Sequence, residues 1–145
     1  MRISAKSEYA IKAVLDLAMR GHRELVPIQV IAGRQRIPQR YLEQVLLALK
    51  RAGLVTSKRG SSGGYLLTRS PDHITVGDVL RAVEGAAAPF EALTGRRQPS
   101  DRHELGELWS EISDAVASVV DRLTFGELAA RALERDGAAR PMYHI

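Results

Sequence analysis

The tripeptide Arg36-Ile37-Pro38 constrains this chain more than any other feature. Proline lacks an amide hydrogen and drives its predecessor out of the α region, so no helix runs through this point, yet Pro38 is well suited to open a new one. Apolar residues recur at helical spacing on both sides. Before the break, Pro27 opens a short helix with Ile28, Ile31 and Ala32 on one face, ending near Gln35. After it, residues 39–52 carry a stripe of Tyr41, Leu42, Val45, Leu46 and Leu49, and Gly53 is the expected stop. Two helices meeting at a tight break form a helix-turn-helix.

The flanking segments extend this plan. Ser4 is a plausible N-cap and Glu8 sits in the first turn, for a helix over residues 5–20 whose face is Tyr9, Ala10, Ala13, Val14, Leu17 and Ala18. Downstream, Leu54 to Arg59 is a β-type run, the loop Gly60-Ser61-Ser62-Gly63-Gly64 follows, and Tyr65 to Thr68 returns. Such a hairpin placed straight after a helix-turn-helix reads as the wing of a winged helix. Thr75 and Asp78 form a capping box for a helix with Val76, Val79, Leu80 and Val83, stopping at Gly85.

A long helix is predicted from Glu104 to Leu123, about 30 Å at ~1.5 Å per residue. It carries the apolar stripe Leu105, Leu108, Trp109, Ile112, Val116, Val119 and Leu123. Thr124 and Glu127 cap a short final helix from Phe125 to about Glu134. The expected fold class is mainly α with a small β-hairpin wing. A winged helix-turn-helix domain occupies 1–85, a connector 86–103, a dimerisation helix and short final helix 104–135, and a flexible tail 136–145. A winged helix is expected to satisfy its own core, so the further apolar stripe wants a partner, and a homodimer is the economical one.

Charge is distributed unevenly. The net charge is +4, but residues 1–70 balance at +9 and residues 71–145 at −5. A basic half argues for a polyanion-binding face. With Leu42, Val45, Leu46 and Leu49 turned inward, Gln39, Arg40 and Glu43 point outward from the second helix of the motif, beside Tyr41 and Gln44. A major groove about 12 Å wide admits one helix; glutamine pairs with adenine, arginine with guanine, and a carboxylate accepts from the cytosine amino group. The blander alternative is a solvated face with Glu43 in a surface ion pair. On the wing, Lys58 and Arg59 precede small residues, Gly60 and Ser61 among them, and arginine gains from the negative potential of a narrow minor groove. Gly60, Gly63 and Gly64 would let the backbone approach DNA closely, and Arg2, Lys6, Arg34 and Arg36 would sit near phosphates.

Other classes find less support. The glycine loop lacks the Gly-Lys-Ser/Thr ending of a phosphate-binding loop. The histidines are scattered and no serine sits in a nucleophile elbow, so no enzyme is expected. Asp101, His103, Glu104 and Glu107 could be imagined as a metal site, but solvated charges beside a helix start are commoner; no metal or cofactor is expected. There are no cysteines, which excludes disulfides and thiolate metal sites. No apolar run reaches the roughly 18–20 residues of a membrane span and the first residues lack a signal-peptide core, so a cytoplasmic protein without a membrane partner is expected.

Several segments in order carry a resemblance: Tyr41-Leu42-Glu43-Gln44, Ala52-Gly53-Leu54-Val55, Arg59-Gly60 followed by Gly63-Gly64-Tyr65, Ile74-Thr75 with Gly77-Asp78-Val79, and Glu84-Gly85. Together they resemble the Rrf-two family of bacterial transcription regulators, from Met1 to about Leu128. The resemblance implies a winged-helix dimer on double-stranded DNA, with Glu43 and its neighbours reading the major groove, Arg59 the minor groove, and Lys6 and Tyr9 on backbone phosphates. Many members sense through a cluster held by three connector cysteines; this chain has none, and thiolates are the ligands. Ala88-Pro89-Phe90-Glu91-Ala92-Leu93, Leu108-Trp109 and the terminus Met142-Tyr143-His144-Ile145 are similar to the cluster-free branch that regulates cysteine metabolism. That branch is controlled by binding cysteine synthase (O-acetylserine sulfhydrylase), an enzyme that captures other partners by a C-terminal isoleucine. The resemblance thus makes Tyr143, His144 and Ile145 candidate partner-binding residues; the alternative is a tail packed on its own dimer. The expected function is a sequence-specific regulator, a repressor by preference. From another class, the chain could be an adaptor that binds and modulates a metabolic enzyme.

Overall fold

Ser4, in an extended conformation, accepts the Ser7 amide at 3.1 Å and so starts helix α1, Ala5–Met19, in a computed structural model that describes residues 3–20, 23–85, 89 and 105–139. Ala10, Ala13, Val14 and Leu17 are buried, as their three- and four-residue spacing demands. Helix α2, Ile28–Gln35, ends where Arg36 turns left-handed at φ 54° and the Arg36 and Ile37 amides both reach the Ala32 carbonyl. That conformation is unfavourable for a residue with a side chain by roughly 1–2 kcal/mol. The buried Ile37 side chain pins it. Pro38 then opens α3, Gln39–Arg51, which buries Leu42, Val45, Leu46 and Leu49. Gly53 follows at φ 80°, the left-handed position that ends such a helix without steric cost.

Strands β1, Val55–Lys58, and β2, Gly64–Leu67, pair antiparallel with Val55 opposite Leu67 and Lys58 opposite Gly64. Val26, between α1 and α2, adds a one-residue third strand, exchanging two 2.9 Å backbone hydrogen bonds with Tyr65. A short 3₁₀ turn, Pro71–His73, leads to α4, Val76–Glu84. The capping box is complete: the Thr75 hydroxyl accepts from the Asp78 amide and the Asp78 carboxylate from the Thr75 amide, both at 3.0 Å. Helices α5, Gly106–Arg122, and α6, Phe125–Ala139, complete the described fold. Thr124 caps α6 by accepting the Glu127 amide at 3.1 Å.

Three expectations are corrected. The winged helix does not close its own core, because Val120 and fully buried Phe125 belong to the same apolar cluster as α1, α3 and α4. Hydrogen bonds of 2.9 Å from the Val76 amide to the Leu123 carbonyl and from the Phe125 amide to the Ile74 carbonyl clamp the α5–α6 corner to the start of α4. Leu123, assigned by spacing to the dimerisation stripe, consequently packs against this core. Finally, α6 runs to Ala139 and not to about 134, so residues 136–139 are helical and not tail. One exposed glycine, Gly137, weakens a helix by only about 1 kcal/mol and does not stop it among alanines. The connector apart from Pro89, and Tyr143, His144 and Ile145, lie outside the described residues.

Candidate nucleic-acid interface

Four inward leucine and valine side chains orient α3, so Gln39, Arg40, Glu43, Gln44 and Leu47 are exposed on its other side. Tyr41, placed by spacing on the apolar stripe, is 45% exposed and stands at the edge of that face. Its ring lies 6.5 Å from that of Tyr9 on α1, tilted by 33°, while the Arg40 guanidinium sits 5.1 Å from the Tyr41 ring centroid. A cation over an aromatic face is attracted by the ring quadrupole, worth about 0.5–1 kcal/mol at an exposed site. The stack therefore limits where Arg40 can point. Lys6, Tyr9, Tyr41 and Gln44 line a cleft of about 440 Å³ between the start of α1 and α3.

On the opposite side of α3 a groove of about 600 Å³ separates the helix from the wing. Glu43, Leu47 and Lys50 form one wall; Lys58, Arg59, Gly60 and Ser61 contribute from the hairpin. Lys50 donates to Ser57 at 2.7 Å and so fixes the spacing of helix and hairpin. Gln39, Glu43, Lys58 and Arg59 make no side-chain hydrogen bond or ion pair with the described residues. The face thus presents uncommitted donors, the Gln39 amide and one carboxylate in a largely basic surround, with α3 as a wall of both depressions. Arg2 lies outside the described residues.

Two sequence expectations change here. Gly63 and Gly64 face the protein and not an outside ligand: a Cβ on Gly63 would collide with the Lys58 backbone, and one on Gly64, at φ 155°, would meet the Val26 carbonyl at 2.6 Å. Their smallness closes the wing on itself and on the Val26 strand. Of these three wing glycines, Gly60, φ 113°, is the one open on its Cβ side. Arg34 is committed elsewhere as well. It forms a bidentate pair with buried Asp16, Nε to Oδ1 at 2.9 Å and Nη2 to Oδ2 at 2.7 Å, and Gln35 donates to Oδ1 at 3.0 Å. The hydrogen bond from the guanidinium to this carboxylate raises the Arg34 pKa further.

Sequence reasoning missed this pair, whose members stand 18 residues apart, and also the Glu84 carboxylate that accepts from Ser4 at 2.6 Å and from Ser7 at 3.0 Å. It missed Leu47 too, although its position four residues after Glu43 was a usable signal. On α5, Leu108, Ile112 and Val119 are 36–46% exposed, and with exposed Ala115 they repeat at alternating spacings of four and three residues. That is the seam spacing by which helices pair. Leu105 is exposed at the start of the same helix, and Trp109 and Val116 are half-buried.

The family described as "Rrf2: Iron-dependent Transcriptional regulator" matches residues 3–131. HTH-type transcriptional regulator CymR of Bacillus subtilis (strain 168) is 40% identical over 129 residues, spanning 89% of this chain and 90% of that protein. The solved structure of CymR (YrzC), the global cysteine regulator of B. subtilis, superposes with a TM-score of 0.76 at 34% identity, over 90% of this chain and 98% of the other. T. potens IscR gives 0.78 at 32% identity, over 98% and 93%. The chain has no cysteine to offer thiolates to the iron of the family's description, and among the described residues, which do not include Asp101, His103 and Glu104, no group of three or more His, Asp or Glu could hold a metal ion. With its fold, the residues on α3 and the wing, and a match along most of its length, the chain belongs to the Rrf2 family of transcriptional regulators.

Proposed function

We propose that the protein is a homodimeric, sequence-specific DNA-binding repressor. The observation that carries this reading is the set of exposed, uncommitted side chains Glu43, Lys58 and Arg59 around one groove between α3 and the wing, with exposed Gln39 one helical turn before Glu43 on α3. In this reading α3 enters the major groove, where Glu43 accepts from a cytosine amino group and Gln39 and Arg40 reach neighbouring base edges. Arg59 enters the flanking minor groove, with Lys58, Gly60 and Ser61 beside it. Lys6, Tyr9, Tyr41 and Arg2 hold the phosphate backbone. Two copies joined through Leu108, Ile112, Val119 and their neighbours on α5 set two recognition helices about one DNA turn apart, on a pseudo-palindromic site. An adaptor working only through protein contacts would leave the uncommitted reading set without a purpose.

The test is a gel shift against the DNA upstream of its own gene over a salt series. Affinity should fall steeply, by about 0.9 log units per log unit of salt for each phosphate contact. Arg59→Ala should lose on the order of 1–3 kcal/mol of preference for that site over random DNA; an unchanged preference removes the wing from the reading.

The signal is the second part of the reading. A chain without cysteine cannot bind a cluster through three cysteine thiolates. Control of cysteine metabolism through cysteine synthase is supported by the likeness to CymR, described as a global cysteine regulator. The Tyr143-His144-Ile145 end offers an apolar tip suited to capture in a backbone nest. Deleting residues 143–145 should abolish co-purification with cysteine synthase while DNA binding survives; co-purification of the shortened chain would refute the tail's role. The site of action is the cytoplasm, and among the described residues no helix is long and apolar enough to cross a membrane.

A further inference from the structure

Leu47 is out of place for a residue on a polyanion-binding helix. It belongs to α3, yet 48% of its surface is exposed, while the other leucines of that helix are buried. It is not a stray apolar residue on a polar surface. It stands in the groove between α3 and the wing, directly after Glu43 on the same face, with Lys50, Lys58 and Arg59 around it. Four residues along a helix advance the side chain by about 6 Å. That carries Leu47 one or two base pairs beyond a base engaged by Glu43, at a rise of about 3.4 Å per pair.

The one methyl group that unmodified B-DNA displays on the floor of its major groove is the 5-methyl of thymine. An isobutyl group held at that depth gains nothing from phosphate and cannot hydrogen-bond a base edge, but it can cover a methyl group and remove both from water. The basic surround brings the duplex to the groove; the leucine contributes only if a thymine lies beneath it. We infer that Leu47 is a specificity-determining residue that packs against the 5-methyl of a thymine one or two base pairs from the base read by Glu43. This inference rests on the proposed DNA-binding function and adds a base that none of the hydrogen-bonding residues would select.

The experiment uses the full chain and a pool of random-sequence duplexes. After selection of the bound sequence, each thymine in it is replaced singly by uracil, which removes the methyl and keeps every hydrogen-bonding group. For the wild-type protein at least one thymine should be sensitive, with affinity falling on the order of fourfold, the value of burying one methyl group. In Leu47→Ala the thymine and uracil duplexes should bind alike at that position. Because the side chain is outside the core, the substitution leaves folding intact, and a wild-type series with no methyl-sensitive thymine overturns the inference without any variant. If a sequence is selected but no thymine is sensitive to loss of its methyl, or the sensitivity persists in Leu47→Ala, the inference is overturned while base reading stands. If no sequence is selected at all, base reading falls and the inference with it.

Discussion

Asp16 shows how one residue can decide which cations are available for function. Its carboxylate is 2% exposed, and a buried charge is tolerated only when paired and hydrogen-bonded. Arg34 and Gln35 supply three donors, and the geometry joins α1 to α2, the first helix of the helix-turn-helix. Removing the guanidinium would leave the carboxylate buried with a single remaining donor. Arg34→Ala should therefore lower the unfolding free energy by about 3 kcal/mol, read from urea denaturation. The same variant should leave the salt slope of DNA binding unchanged in conditions where it is folded; a slope reduced by about one unit would return Arg34 to the phosphate-binding set. From the sequence, Arg34 looks like any other basic residue near a turn. Its partner lies 18 positions away on another element, and no local pattern announces it.

At the scale of elements, most of the helices were legible and the junctions were not. The capping residues Ser4 and Thr75, the break at Pro38 and the glycine after α3 act through their immediate neighbours, so residue type alone carries the information. The wing was readable as a hairpin, but the reason for Gly63 and Gly64 was misread, because it lies in the approach of the Val26 strand and the Lys58 backbone. The attachment of α5 was likewise hidden. Arg81 on α4 donates to both oxygens of Asp121 on α5, at 2.6 and 2.8 Å. These hydrogen bonds from the guanidinium hold the Asp121 carboxyl below its ordinary value. A depressed carboxyl pKa contributes stability above the unfolded-state value, near 4, which is lost as pH falls through the folded-state value. Both side chains are more than a third exposed, so solvent screening limits the pair to about 1 kcal/mol or less. Asp121→Asn should be less stable than wild type by at most that amount at pH 7, and denaturation curves of the two should converge as the pH is taken below 4. A difference that persists in acid would assign the effect to packing.

For the whole molecule, the two C-terminal helices have two roles. Val120 and Phe125 turn inward and complete the core beneath the helix-turn-helix, while Leu108, Ile112 and Val119 turn outward. Because the corner between α5 and α6 is clamped by backbone hydrogen bonds to the start of α4, the second copy proposed to sit on α5 would be held in register with the helix proposed to read DNA. Ile112→Asp places a charge in the middle of the outward stripe without touching the core. Sedimentation should show it at the 15.9 kDa chain mass where wild type runs at twice that. DNA affinity should fall on the order of a hundredfold, because the second half-site contact is no longer intramolecular. A variant that remains dimeric would move the interface elsewhere.

By itself the sequence determined the number and order of the described helices, the wing, and the outward position of Gln39, Arg40 and Glu43 on α3. Each of these follows from interactions within one or two helical turns, where spacing and residue type are sufficient. Tertiary structure alone decided that Arg34 is committed to Asp16, that Gly63 and Gly64 close the wing on its own chain, that Phe125 belongs to the core with Leu123 packed against it, and that Leu47 borders a groove shared with the wing. These depend on which segments distant in the chain come to lie against one another, and that is settled only when the whole apolar surface finds its cover.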